Sequence, residues 1–192
     1  MQKGQTLVEL LVAMFVIVVG LTAATNIIFS NARTQEESAE RVVAANLARE
    51  AVELAKAVRD SNWIAGGGTA FTAGLANGTD YTGVPRMDGG IFLDFDFTPE
   101  TIDDPGALLL RSTDAGSPYL LVQGAGASGV NTIYRRLVTL SPICDDGSIL
   151  SSGDSCTGGN PQVGLRVSAQ VQWINRTGTH TSLVEDEFYD WR

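Results

Sequence analysis

Glu9 stands at the mouth of an apolar run, because from Leu10 to Ala32 the chain carries no charged side chain. A lone carboxylate at the edge of a hydrocarbon layer is costly unless it reaches water or meets a cation. The group that would satisfy it lies one helical turn upstream. Cleavage of the Gly4–Gln5 bond would free an α-amino group that is cationic near neutral pH, and where subunits pack side by side one chain's amine could neutralise its neighbour's Glu9. Gly4 and Gln5 are therefore the expected cleavage pair and Glu9 the expected assembly residue. The second reactive pair is Cys144 and Cys156. The segment between them contains Asp145-Asp146-Gly147 and Ser151-Ser152-Gly153, which lets the thiols meet in an oxidising exterior. In the chain-entropy picture an unstrained bridge of that span contributes about 3 kcal/mol.

Catalytic chemistry is not legible. His180 is the single histidine, without an identifiable nucleophile partner, and is read as an ordinary edge or surface residue. No serine-centred elbow, phosphate-binding loop or dinucleotide fingerprint is present, and the two cysteines lack metal-ligand spacing. The chain is therefore expected not to be an enzyme and to have no catalytic residue, resident metal or cofactor. The formal net charge is −9, and loss of Lys3 with a leader would deepen it by one. That balance argues against general nucleic-acid binding, which needs clustered cations to displace counterions. Arg135-Arg136, the sole adjacent basic pair, is read as a solvated strand end.

The N-terminal region resembles the type IV pilin and pseudopilin superfamily. Gly4, Thr6, Leu7 and Glu9 fall in register with its leader-cleavage motif, and Leu10-Leu11-Val12-Ala13-Met14 opens the apolar helix behind it. Gln5 stands where the family usually has Phe. The resemblance implies that a membrane prepilin peptidase cuts after Gly4 and that the new terminus at Gln5 is N-methylated. It further implies assembly with other pilin or pseudopilin subunits on an inner-membrane platform. In some secretion pseudopilins loop carboxylates collect calcium, a hard cation suited to oxygen ligands. Here Asp103, Asp104, Asp145, Asp146 and Asp154 are the loop candidates, beside Asp94 and Asp96 on a strand, with acidic turns as the ordinary reading.

Positioning these residues requires few elements. At roughly 1.5 Å per residue, Leu10 to Ala32 makes a helix of about 34 Å, enough to cross a hydrocarbon core of about 30 Å. Beyond Arg33 the pattern turns amphipathic, with Val43, Leu47, Ala51, Leu54 and Val58 on one arc. One helix of about 55 residues is predicted, closed by Asn62 and Gly66-Gly67-Gly68. Exposed Arg49 and Glu53 have the spacing of an opposite-charge pair.

The pattern then changes to a period of two. Strands are predicted at 91–97, Ala107 to Arg111, Tyr119 to Gln123, Tyr134 to Leu140, Val163 to Trp173 and Thr179 to Tyr189. Asp114-Ala115-Gly116-Ser117 is a hairpin candidate. The expected fold is α+β, a long N-terminal helix packed against a C-terminal antiparallel β-sheet. It divides into a leader (1–4), a transmembrane or filament-core helix (5–32), an amphipathic continuation (33–62), a connecting loop with room for a short helix or strand (63–90) and a meander head (91–192).

A subunit with a long apolar helix and a polar head leaves a bilayer when other helices replace the lipid, and repeated packing of that kind builds a filament. The expected function is a minor pilin or pseudopilin of a type IV pilus-like filament serving adhesion or secretion. Its N-terminus would be cytoplasmic, and its head would be extracytoplasmic. The alternatives are a type II secretion pseudopilin, a DNA-uptake pilin, which the acidity disfavours, and an anchored extracytoplasmic binding domain that does not polymerise.

Overall fold

The structure, a computed structural model, describes residues 5–65, 70–75, 82–88, 92–113, 121–124 and 126–190. The Gly66-Gly67-Gly68 terminator and the Asp114 to Ser117 turn lie outside the described residues. By its contacts the chain forms two compact units that divide between Val42 and Val43.

Helix α1 (Gln5–Ala65) runs 61 residues without a break. Asn62, expected to end the helix, lies inside it. Its Nδ2 donates to the carbonyls of Phe71 at 3.1 Å and Ala73 at 2.7 Å, holding the turn at 70–75 against the last turns of α1. The strands are β1 (Thr82–Asp88), β2 (Phe92–Asp96), β3 (Leu108–Arg111), β4 (Leu121–Val122), β5 (Val130–Cys144), β6 (Gln162–Asn175) and β7 (Gly178–Tyr189). All pairings are antiparallel, so the predicted α+β fold holds.

The sheet is more than the predicted meander. β5, β6 and β7 do form one, with Val138 opposite Ala169 and Ala169 opposite Val184. On its other side β5 is shared. β3 pairs along Val130 to Arg135 and β1 pairs at Val138 and Thr139, with β4 outside β3 and β2 outside β1. β1 falls in the stretch read chiefly as a connecting loop. Gly83 and Pro85 hide it from a hydrophobic pattern, yet both have local reasons. A Cβ on Gly83 would lie 2.6 Å from the Asp96 carbonyl oxygen. Pro85 lies two residues past Gly83, the last residue that pairs with β5, where among the described strands β2 is the remaining partner and a missing N–H is tolerated. β7 is an outer strand, paired with β6 alone.

The alternation predicted for β6 is realised from Leu165 onward, because Leu165, Val167, Ala169, Val171 and Trp173 are all buried while Val163 is half-buried. They share one core with Ala44, Leu47, Ala48, Ala51, Val52 and Ala55 of α1. That helix face differs from the predicted arc. Val43 is 42% exposed, and Leu54 and Val58 are only half-buried. The buried stripe, at steps of three and four residues, is rotated toward alanine. A reading weighted by large side chains misses it, although small residues let backbones approach closely and leave no void.

The C-terminal part of α1 is pinned by Arg59, which is 4% exposed. Its guanidinium lies 4.6 Å from the Trp63 ring centroid and 4.7 Å from that of Phe188, and it donates to Asp60 Oδ1 at 2.7 and 2.9 Å. Phe188 thus closes the sheet against the helix.

Because Ala51 is fully buried in this contact, Ala51→Leu is expected to destabilise the head by about 1–3 kcal/mol through overpacking. Ala57→Leu, on the exposed side, should be nearly neutral. Denaturant unfolding followed by tryptophan fluorescence in detergent checks this, and equal stability of the two variants would contradict the packing described.

Candidate assembly and processing site

In the first unit, α1 has no apolar partner among the described residues. Every large apolar side chain from Leu7 to Phe29 is at least 50% exposed. By length and composition this helix can cross a membrane. So much uncovered apolar surface requires lipid or other helices around it. The polar residues within it are quieted locally. Thr22 Oγ1 donates to the Val18 carbonyl at 2.7 Å, and Thr25 Oγ1 to those of Leu21 and Thr22 at 3.0 and 2.9 Å.

Gln5 is the first described residue of α1, Glu9 lies one turn further on and is exposed, and Gly4 is outside the described residues. Among the described residues no cation pairs with Glu9. The ion pairs along α1 are Glu37–Arg41 at 2.6 Å, Glu53–Lys56 at 4.0 Å, Arg59–Asp60 at 2.7 Å and Glu50 with Arg136 of β5 at 3.4 Å. Glu53 thus meets Lys56, not the Arg49 suggested by spacing.

Cys144 and Cys156 form the expected disulfide, with Cα atoms 5.8 Å apart. The loop it closes is laced to the end of β5. Cys144 N–H donates to the Ser148 carbonyl, Gly147 N–H to that of Cys144, and Leu150 N–H to that of Pro142. Asp146 Oδ1 accepts from the Ser148 hydroxyl at 2.6 Å and its N–H at 2.9 Å. Those bonds, with a smaller contribution from Asn160, hold the Asp146 carboxyl down from its ordinary 3.8 to about 2.

Three more of the carboxylates proposed for calcium, Asp104, Asp96 and Asp94, are occupied in the same way. Asp104 Oδ2 accepts the N–H groups of Glu100 and Thr101, both at 2.8 Å, which lowers its pKa. Asp96 Oδ1 accepts from Thr98, and Asp94 Oδ1 from the Phe95 N–H. Asp96 and Asp104 line an open cavity of about 460 Å³ with Thr98, Gly106 and Gly124. Among the described residues no cluster of three or more histidine, cysteine, aspartate or glutamate side chains is placed to hold a metal ion. His180, on β7, stacks on Trp173 with ring centroids 5.3 Å apart, and its Nε2 lies 2.8 Å from Thr177 Oγ1.

The reading of Arg135-Arg136 as a solvated strand end is incorrect. Arg136 is 2% exposed. Its Nε donates to Gln123 Oε1 at 2.6 Å and Nη1 to the Leu47 carbonyl at 3.2 Å. Arg135 Nη1 donates to the Asp103 and Asp104 carbonyls, each at 3.0 Å. The alternation of β5 offered a signal, since Tyr134, Arg136 and Val138 share one parity and Val138 is core.

A family model for the prokaryotic N-terminal methylation motif matches residues 1–25. No curated protein matches the chain, and no solved structure does. The chain carries the signal of type IV pilins and pseudopilins, a class processed by prepilin peptidase and assembled from pilin subunits. Motif, apolar helix and disulfide agree with a pilin-like structural subunit and a membrane-anchored protein.

Two outcomes follow for the loop. Replacing both cysteines by serine should cost about 3 kcal/mol in denaturant unfolding, and an unchanged midpoint would show that the bridge adds nothing. The depressed Asp146 carboxyl contributes stability above its unfolded value of about 3.9 and loses it as pH falls toward 2. Protection of the Ser148 amide from hydrogen exchange should therefore fall over that window, and Asp146→Asn should flatten the dependence.

Proposed function

We propose that this protein is a minor pilin or pseudopilin, cleaved after Gly4, N-methylated at Gln5 and built through its N-terminal helix into a type IV pilus-like filament. The observation that carries this reading is the methylation motif on a helix whose apolar side chains are exposed from Leu7 to Phe29. Residues 1–4 are the leader, 5–32 the filament-core helix, 33–62 its amphipathic continuation, 63–90 the connection and 91–192 the rest of the head. Before assembly the helix spans the membrane, with Lys3 on the cytoplasmic side and the acidic bulk across. Its partners are prepilin peptidase, other pilin or pseudopilin subunits, lipid and the inner-membrane assembly platform. No cofactor is required.

Glu9 sets the axial register by pairing with the amine of an adjoining subunit, in surroundings where an unpaired carboxylate is expensive. Glu9→Ala should therefore lower the amount of this protein in sheared surface fibres about tenfold, the factor set by about 1.4 kcal/mol, while thermal unfolding of the head is unchanged. Undiminished incorporation would overturn the pairing. Native protein beginning at Met1 and confined to the membrane would favour an anchored extracytoplasmic binding domain.

A further inference from the structure

We propose that Gln5 is a self-modification site whose closure to pyroglutamate competes with assembly, so that processed subunits left unpaired lose the amine on which filament entry depends. The inference rests on the cleavage reading given above. On that reading the scissile bond lies directly before Gln5, so the residue that receives the new amine also carries a primary carboxamide. Phe, the residue the motif more often has there, offers no such electrophile.

The chemistry balances within one residue. The α-amino nitrogen attacks the side-chain carbon Cδ, and a new C–N bond closes an unstrained lactam. The Cδ–Nε2 bond breaks, and Nε2 leaves as ammonia with a proton taken from the amine. No oxidant, reductant or further reactant takes part. Amine and carboxamide are held together by two methylenes, and such proximity replaces the entropy of bringing two molecules together.

Two features of the chain favour closure in an unassembled subunit. Glu9 is exposed and takes part in no ion pair among the described residues, so before assembly no buried pairing holds the new amine protonated. The reaction also replaces a cation at the edge of an apolar helix with a neutral lactam, which is cheaper to keep out of water. Assembly acts in the opposite direction. An amine paired with a neighbouring Glu9 keeps its proton, and a protonated amine has no lone pair with which to attack. The Glu9 contact is thereby both the register and the protection, and Gln5 limits how long a processed subunit stays competent.

The test is mass analysis of the N-terminal peptide from native protein, denatured immediately on harvest, taken separately from the membrane and from sheared surface fibres. The expected result is a membrane pool beginning at Gln5 and lighter by one ammonia, sequenced only after pyroglutamyl aminopeptidase treatment. The fibre pool should retain its amine, with or without an added methyl group. Gln5→Met, of similar length but without a carboxamide, should abolish the ammonia loss. Chains that begin at Gln5 with an intact amine in both pools, or with equal lactam in both, would overturn the proposal and leave cleavage standing. Chains that begin at Met1 would overturn the cleavage reading itself, and this proposal with it.

Discussion

A guanidinium shut away from water ties the head together. Arg136 carries a charge into a place where desolvation lowers its pKa, and Glu50 across the contact partly restores it. A buried charge is tolerable only when its donors are satisfied. Gln123, the backbone of Leu47 and Glu50 divide that task, and the Gln123 amide donates onward to the carbonyls of Ala107 and Arg136. One side chain therefore links α1, the central strand β5 and the segments beside β3 and β4. The alanine stripe determines how near the sheet can come to the helix. The polar hub determines where along the helix β5 must sit, because an apolar stripe tolerates sliding and a directed hydrogen-bond set does not.

Charge is handled differently in each unit of the chain. In the second unit, Arg59 of α1 and Arg136 of β5 are absorbed by rings, carboxylates and carbonyls of the same molecule. At the beginning of α1 the chain supplies a carboxylate and no described cation. The two buried cations of the head are satisfied within the chain, whereas the start of the N-terminal helix carries an exposed carboxylate that no described cation meets.

The architecture was legible where one physical signal dominated. The uncharged run after Glu9 could be read directly, as could the alternation from Val163 to Trp173 and the cysteine pair, since each pattern has few structural solutions. What escaped was decided by tertiary context. Ala44, Ala48 and Ala55 are too small to register as a buried face, yet their size is what the sheet requires. β1 is broken in pattern by Gly83 and Pro85, and its place is set by pairing with distant Asp96 and Thr139. Arg136 looked solvated because its partners, Gln123 and the Leu47 carbonyl, adjoin it only after folding. At the N-terminus the opposite holds, and Gly4, Gln5 and Glu9 are read almost wholly from sequence spacing.

β7 leaves its outer backbone edge without a neighbouring strand among the described residues, and such edges invite uncontrolled sheet growth between molecules. Glu185, Asp186 and Glu187 occupy consecutive positions there, so both faces of the strand present carboxylates, and among the described residues a single cation answers them, Arg166, which bonds Glu187 at 2.8 Å and attracts Glu185 through charge alone. Any copy laid along this edge would bring like charges together at close spacing. Heads crowded at high local density can therefore remain colloidally separate, and aggregation through β7 is suppressed by repulsion rather than by a covering element.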